Sequence, residues 1–129
     1  MPGYFADLDT YLAALGAGGV GAPAFHLGGN SADESWWNPD AHPRPPGVQT
    51  DLTGPWLSML RPASEQAGAR FVLGGNLAIA DPANAVSFVQ AAVAALPPGS
   101  IESYEIGNEP DLYGRSVTFH VGGLTLTRI

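Results

Sequence analysis

Ile101-Glu-Ser-Tyr-Glu-Ile-Gly-Asn108-Glu109-Pro110-Asp-Leu-Tyr113 is the stretch whose reading decides the fold. Residues 101–106 read as a buried strand. They carry Ile101, Tyr104 and Ile106, follow Pro97-Pro98-Gly99, and stop at Gly107. Asn108 and Glu109 stand where that strand runs out into a loop. Pro110 disfavours helical geometry in the residue before it, so Glu109 is expected to be extended. A carboxyl beside an amide at a strand's C-terminal end suits chemistry in a parallel α/β fold, where the mouth of the sheet is the functional face. A lone glutamate in a loop is otherwise an ordinary solvated side chain; the Asn-Glu-Pro context sets Glu109 apart.

Upstream, the same pattern recurs. Leu27-Gly-Gly-Asn30 and Leu73-Gly-Gly-Asn76 repeat, and Ile106-Gly-Asn108 is a near echo. Each follows a strand, at 24–27, 70–73 and 101–106, and precedes a loop to a helix. Repeated βα units would deliver an Asn to one face in this way. The first helix is expected over residues 5–15, with Phe5, Leu8, Leu12 and Leu15 on one face and Gly16 as its stop. A second is capped by Asp51 or Thr53, faces Trp56, Met59 and Leu60 inward, is broken or kinked at Pro62 and ends at Gly68. Asp81-Pro82 starts a third, whose apolar face runs Val86, Val89, Val93 and Leu96. Residues 38–50, with four prolines, read as a long loop. After Tyr113, apolar residues alternate with Thr and His on both sides of Gly122-Gly123, which predicts a β-hairpin over 117–129. The order is helix, strand, helix, strand, helix, strand, hairpin: one α/β domain over 1–129, with a parallel sheet.

Other residues carry weaker signals. Asn30 and Asp33 present polar groups at the mouth of the first strand. Trp36 and Trp37 follow, and paired aromatic faces beside small polar residues suit a sugar platform; either Trp could instead plug the end of the fold. Gly16, Gly18 and Gly21 match the G-x-G-x-x-G spacing, but a helix precedes and a strand follows, the reverse of a dinucleotide site. His26, His42 and His120 are far apart in sequence and lack metal-ligand spacing. No metal or cofactor is expected.

The composition is globular rather than disordered, with 45% hydrophobic and 13% charged residues. Five Arg and no Lys oppose 12 acidic residues, for a net charge of -7. That balance argues against nucleic acid and against an anionic membrane surface as partners. There is no Cys, hence neither a disulfide framework nor thiolate chemistry. The first residues lack a charged n-region and an apolar h-region, so no signal peptide is expected in this chain.

Glu105-Ile-Gly-Asn-Glu-Pro-Asp111, together with the two Gly-Gly-Asn segments, resembles glycoside hydrolase family 79. This is the β-glucuronidase and heparanase group of retaining glycosidases with a TIM barrel. The resemblance implies that Glu109 is the acid/base at the end of the fourth strand. It also implies that Asn108 binds the sugar 2-hydroxyl, and that Asn30 and Asn76 stand at substrate-side positions. Tyr113 closes the same string and is counted with Asp33 and Trp36 among the substrate-binding residues. The family usually carries Arg where this chain has His26. The nucleophile lies on a later strand, beyond Ile129. A complete barrel takes about 250 residues, so the resemblance implies a partial (β/α)8 barrel, from after the first strand to after the fourth. The implied substrate is a glycoside, a β-glucuronide above all, and the implied parent is secreted. The alternative is a non-catalytic carbohydrate-binding remnant, or a truncated product without activity of its own. Either way, unpaired sheet edges are expected to favour oligomers or aggregates.

Overall fold

The structure, a computed structural model, describes residues 10, 11, 14 and 21–110, and the strands at 117–121 and 124–128. Along the chain the elements are β1 (Ala24–Leu27), a single helical turn α1 (Asn30–Asp33), β2 (Ser35–Trp37), β3 (Thr50–Leu52), α2 (Gly54–Ala67), β4 (Arg70–Gly75), α3 (Pro82–Ala95), β5 (Ile101–Ile106), β6 (Val117–Val121) and β7 (Leu124–Arg128). Of the helix expected over 5–15, Thr10, Tyr11 and Ala14 are described and helical; the remainder lies outside the described residues. Gly21, with a left-handed φ of 74°, precedes β1. A strand therefore follows the glycine-rich segment, not the helix that a dinucleotide fingerprint needs.

The main sheet is parallel throughout, in the order β1-β4-β5. β4 explains why. Phe71 and Leu73 are 2% and 0% exposed, while Arg70 and Val72, on the opposite face, are not buried. Period-two alternation thus gives the strand one deeply buried face. Leu57 of α2 and Phe88 and Ala92 of α3 close over that face, joined by Phe25, Leu27, Ile101 and Tyr104 from the strands. Both crossover helices therefore lie on the same side of the sheet. The other side carries His26, Arg70, Val72 and Glu105.

Both helices begin as their sequences dictate. The Thr53 side chain accepts the Trp56 N–H at 3.4 Å, and Asp81 accepts the Asn84 N–H at 3.0 Å. Asp51, the other candidate cap, is bound elsewhere. Gly68, at φ 65°, ends α2. Pro62 does not end it: the helix runs on to Ala67. Pro62 and Ser58, whose carbonyl loses its partner, are both exposed, so water can supply the missing bond.

Four expectations are corrected. Leu57, 1% exposed, takes the inward position expected of Met59, which is 48% exposed. In α3 the inward face is Phe88, Ala91, Ala92 and Ala95, and Leu96 just beyond it is buried as expected, whereas Val86 and Val93 are 53% and 62% exposed. Small alanines face the sheet, and the Tyr104 hydroxyl of β5 donates to the Val89 carbonyl at 3.4 Å. Ile106 is 69% exposed rather than buried; among the described residues β5 has a strand neighbour on one side only. Finally, residues 38–50 are not one free loop. β2 and β3 bracket them as a parallel pair, with Trp36 opposite Asp51. The expected hairpin is present: β6 and β7 pair antiparallel, with Val121 opposite Leu124.

The mixed α/β fold and its parallel sheet thus agree with the sequence reading. Among the described residues, the outer edges of β1 and β5 have no strand partner, and Val86 and Val93 of α3 are exposed. The purified chain should therefore self-associate at micromolar concentration and bind an apolar dye, with little sensitivity to salt. Sedimentation velocity checks this; a dye-silent monomer at every concentration would contradict it.

Candidate functional site

The C-terminal ends of the three parallel strands converge, and glycine makes this possible. A Cβ on Gly74 would lie 2.8 Å from the Gly28 Cα and 2.8 Å from the Ala32 Cβ. Gly28 is less constrained: its Cβ would meet the Glu105 carboxylate at 2.5 Å and the His26 ring at 2.6 Å, both ends of side chains that can swing aside. Gly74, which meets backbone, is the glycine required by contact. Over Gly28, His26 Nε2 and Glu105 Oε2 meet at 2.5 Å. Glu105 is hydrogen-bonded, and its side chain is 35% exposed on the sheet face away from the helices.

β5 reaches this geometry through a bulge. Phe71 pairs with Ile101, yet Val72 pairs with Ser103, so Glu102 is an extra residue. The bulge shifts the alternation by one, sending Tyr104 to the helices and Glu105 to the opposite face. The ladder then continues past the strand, with Gly107 N–H donating to the Gly75 carbonyl at 2.8 Å.

At the rim, Asn30, Asn108 and Glu109 form one set. Asn108 Nδ2 donates to Asn30 Oδ1 at 2.8 Å and approaches Glu109 Oε2 at 3.4 Å. Glu109 is exposed, and its φ of 48° is left-handed, not extended as expected. Pro110 excludes the helical region for its predecessor, but left-handed backbone also escapes that clash. Such a conformation costs a non-glycine residue about 1–2 kcal/mol, and strain of this kind gathers where a side chain must be aimed.

Beneath the rim, Asp33 and Asn76 hold the loops together. Asp33 is 6% exposed. Its Oδ1 accepts the Leu77 N–H at 3.4 Å and its Oδ2 the Asn108 N–H at 3.3 Å. Asn76 Nδ2 donates to the carbonyls of Asp33 (2.7 Å) and Ser35 (2.9 Å), while its Oδ1 accepts the Ile79 N–H at 3.0 Å. Asn76 thus joins the site as a brace between loops. Trp36 lies half-buried in β2, and no hydrogen bond or ring contact among the described residues ties it to the Asn30–Glu109 set. Trp37 is a core residue. Its ring lies 6.0 Å from that of Phe88, and its backbone exchanges two hydrogen bonds with the Asn84 amide. Tyr113 lies outside the described residues. A groove of about 360 Å³ opens beside β1, lined by His26, Gly28, Ser31, Ser35, Thr50 and Trp56. That volume is within the range of small-molecule sites.

Sequence reasoning missed the pins of the 38–49 segment. Asn38, 3% exposed, brackets His42 through its N–H and carbonyl and also donates to Asp51. Arg44 grips both oxygens of Asp51, at 2.9 and 2.6 Å, and the Gln49 carbonyl. Hydrogen bonds from Arg44, then from Asn38, hold the Asp51 carboxyl below its ordinary range.

Among the described residues there is no cluster of His, Cys, Asp or Glu able to hold a metal ion. No helix there is long and apolar enough to cross a membrane. The sequence matches no protein-family model, and no curated protein matches it.

Two outcomes follow from this geometry. Gly74→Ala should destabilise the chain by about 1–3 kcal/mol, the usual penalty of overpacking. Gly75→Ala should not, because its Cβ would meet only the Glu105 carbonyl, at 3.7 Å; denaturant titration of the two variants checks the contrast. For the 38–49 segment, a carboxyl lowered by folding contributes stability above its unfolded value and loses it as pH falls through the folded one. Arg44→Ala should therefore speed proteolysis of this segment at neutral pH. The difference from wild type should vanish once Asp51 is protonated, below the ordinary carboxylate range.

Proposed function

We propose that the chain is the N-terminal part of the catalytic domain of a retaining β-glycosidase, acting on β-glucuronides, with Glu109 as acid/base. The observation that carries this reading is the Asn30–Asn108–Glu109 set at the ends of parallel strands β1 and β5. A proton donor, a fixed amide and a strained presenting backbone converge there on the face where α/β folds do chemistry.

The winding of the sheet supports a partial TIM barrel over a doubly wound sheet. The strands lie side by side in chain order, and both crossover helices cover the same face. A barrel is wound this way, with helices outside and the second face as its interior. His26 stands where the resembled family usually has Arg. Its bond to Glu105 on the interior face keeps a basic side chain against a strand carboxylate.

In this mechanism Glu109 protonates the glycosidic oxygen while a second carboxylate, about 5–5.5 Å away and beyond Ile129, attacks the anomeric carbon. Glu109 then takes the proton of the water that releases the sugar. Asn30 accepts one Asn108 amide hydrogen and so fixes the plane from which Asn108 meets the sugar 2-hydroxyl. The bond to that hydroxyl tightens in both transition states.

The test is made in the complete enzyme that this reading requires. Glu109→Ala should slow cleavage of a natural glucuronide by about 10²–10⁴-fold. Glycosylation by a substrate with an activated aryl leaving group should suffer far less, because it needs little protonation. The glycosyl-enzyme should then accumulate, and azide, which needs no base, should restore turnover. Asn108→Ala should lose rate with both substrates. Equal losses in Glu109→Ala for good and poor leaving groups, without azide rescue, would contradict the assignment. Sugar binding without turnover in the wild-type enzyme would favour the non-catalytic alternative.

A further inference from the structure

Asp33 is the buried carboxylate among the described residues. Burying an ionised carboxylate is costly unless hydrogen bonds replace its water. Here its two oxygens take N–H groups from two different loops, Leu77 after β4 and Asn108 after β5. Its own carbonyl takes the Asn76 amide. One residue, at the end of the turn after β1, therefore touches the loops that follow all three strands of the main sheet. The amide it holds after β5 belongs to the residue immediately before Glu109. Glu109 is left-handed between that anchored amide and the ring of Pro110. Left-handed glutamate backbone persists only where its surroundings over-determine it, and an anchor on one side with a fixed ring on the other supplies that.

We propose that Asp33 is a positioning residue: its buried carboxylate holds the Asn108 amide and so sets the backbone from which Glu109 is presented. This role takes the place of the sugar contact expected from the sequence. The hold on the loop stands on geometry alone; its catalytic consequence rests on the glycosidase reading above.

Residue-resolved amide exchange on the 129-residue chain tests the hold. In the wild type, the Leu77 and Asn108 amides should exchange roughly ten- to hundred-fold slower than unbonded loop amides, as bonds to a charged acceptor imply. D33A should remove that protection from both, with the α2 and α3 amides unchanged. D33N keeps the shape but offers one acceptor oxygen and one N–H donor. It should spare one of the two amides and release the other. Wild-type amides without protection, or two amides still protected in a folded D33A or D33N, would overturn the proposal.

Kinetics in the complete enzyme then separate positioning from sugar contact. D33N should lower kcat more for a natural glucuronide than for an activated aryl glycoside, with KM unchanged. A raised KM of equal size for both substrates would mean direct sugar contact and would also overturn it. If exchange behaves as expected while Glu109→Ala shows no leaving-group dependence, the glycosidase reading fails and the hold on the loop stands.

Discussion

The approach of β4 to the end of β1 at Gly74 and Gly28 is the contact on which the rest of the molecule depends. With no Cβ at either place, two strand ends and the α1 turn come within 2.8 Å of where a methyl would sit. Three consequences follow. The His26–Glu105 pair has room to lie over Gly28. The α1 turn folds close enough for Asp33 to reach amides on both neighbouring strand-end loops. Asn30 then comes within 2.8 Å of Asn108. Larger residues at positions 28 and 74 would separate these groups before any polar side chain at the rim was altered.

A second constraint comes from how closely the helices approach the sheet. α3 turns Phe88 and three alanines inward and leaves two valines in solvent. Hydrophobicity ranks valine above alanine, but small residues beside Phe88 leave room for its ring on the contact face. Phe88 fills what the alanines leave and touches Trp37 and Trp56 with its ring. Core and rim are connected here, since Asn84, one helical turn before Phe88, carries the two hydrogen bonds to the Trp37 backbone.

Much of this was legible from local signals. Asp81-Pro82, Thr53 and Gly68 mark helix ends through the chemistry of caps, which needs no tertiary partner. Strands next to Gly-Gly-Asn were legible because apolar runs end abruptly there. What stayed hidden depends on register or on three-dimensional contact. β2 and β3, of three residues each, are too short to show a period. The bulge at Glu102 is invisible in the sequence: strict alternation from Ile101 puts Tyr104 on the opposite face, whereas the extra residue returns Tyr104 to the core face that Ile101 occupies. The proline before-residue rule excludes helix at Glu109 but does not choose between extended and left-handed backbone. Asp33 and Asn76 look like rim residues in the sequence. Only folded distances reveal that their polar atoms are engaged by backbone.

His26, Gly28 and Glu105 form a coupled unit of sequence variation. The carboxylate of residue 105 and the ring of residue 26 occupy the volume that a side chain at 28 would need. A mutation at position 28 alone meets both groups at once and is accommodated when these two partly exposed side chains swing aside, which breaks the pair. Loss of the carboxylate alone leaves His26 without its partner above an unfilled notch. A change at position 28 is thus felt first by two side chains that stand 79 residues apart in the chain, not by the backbone beneath them.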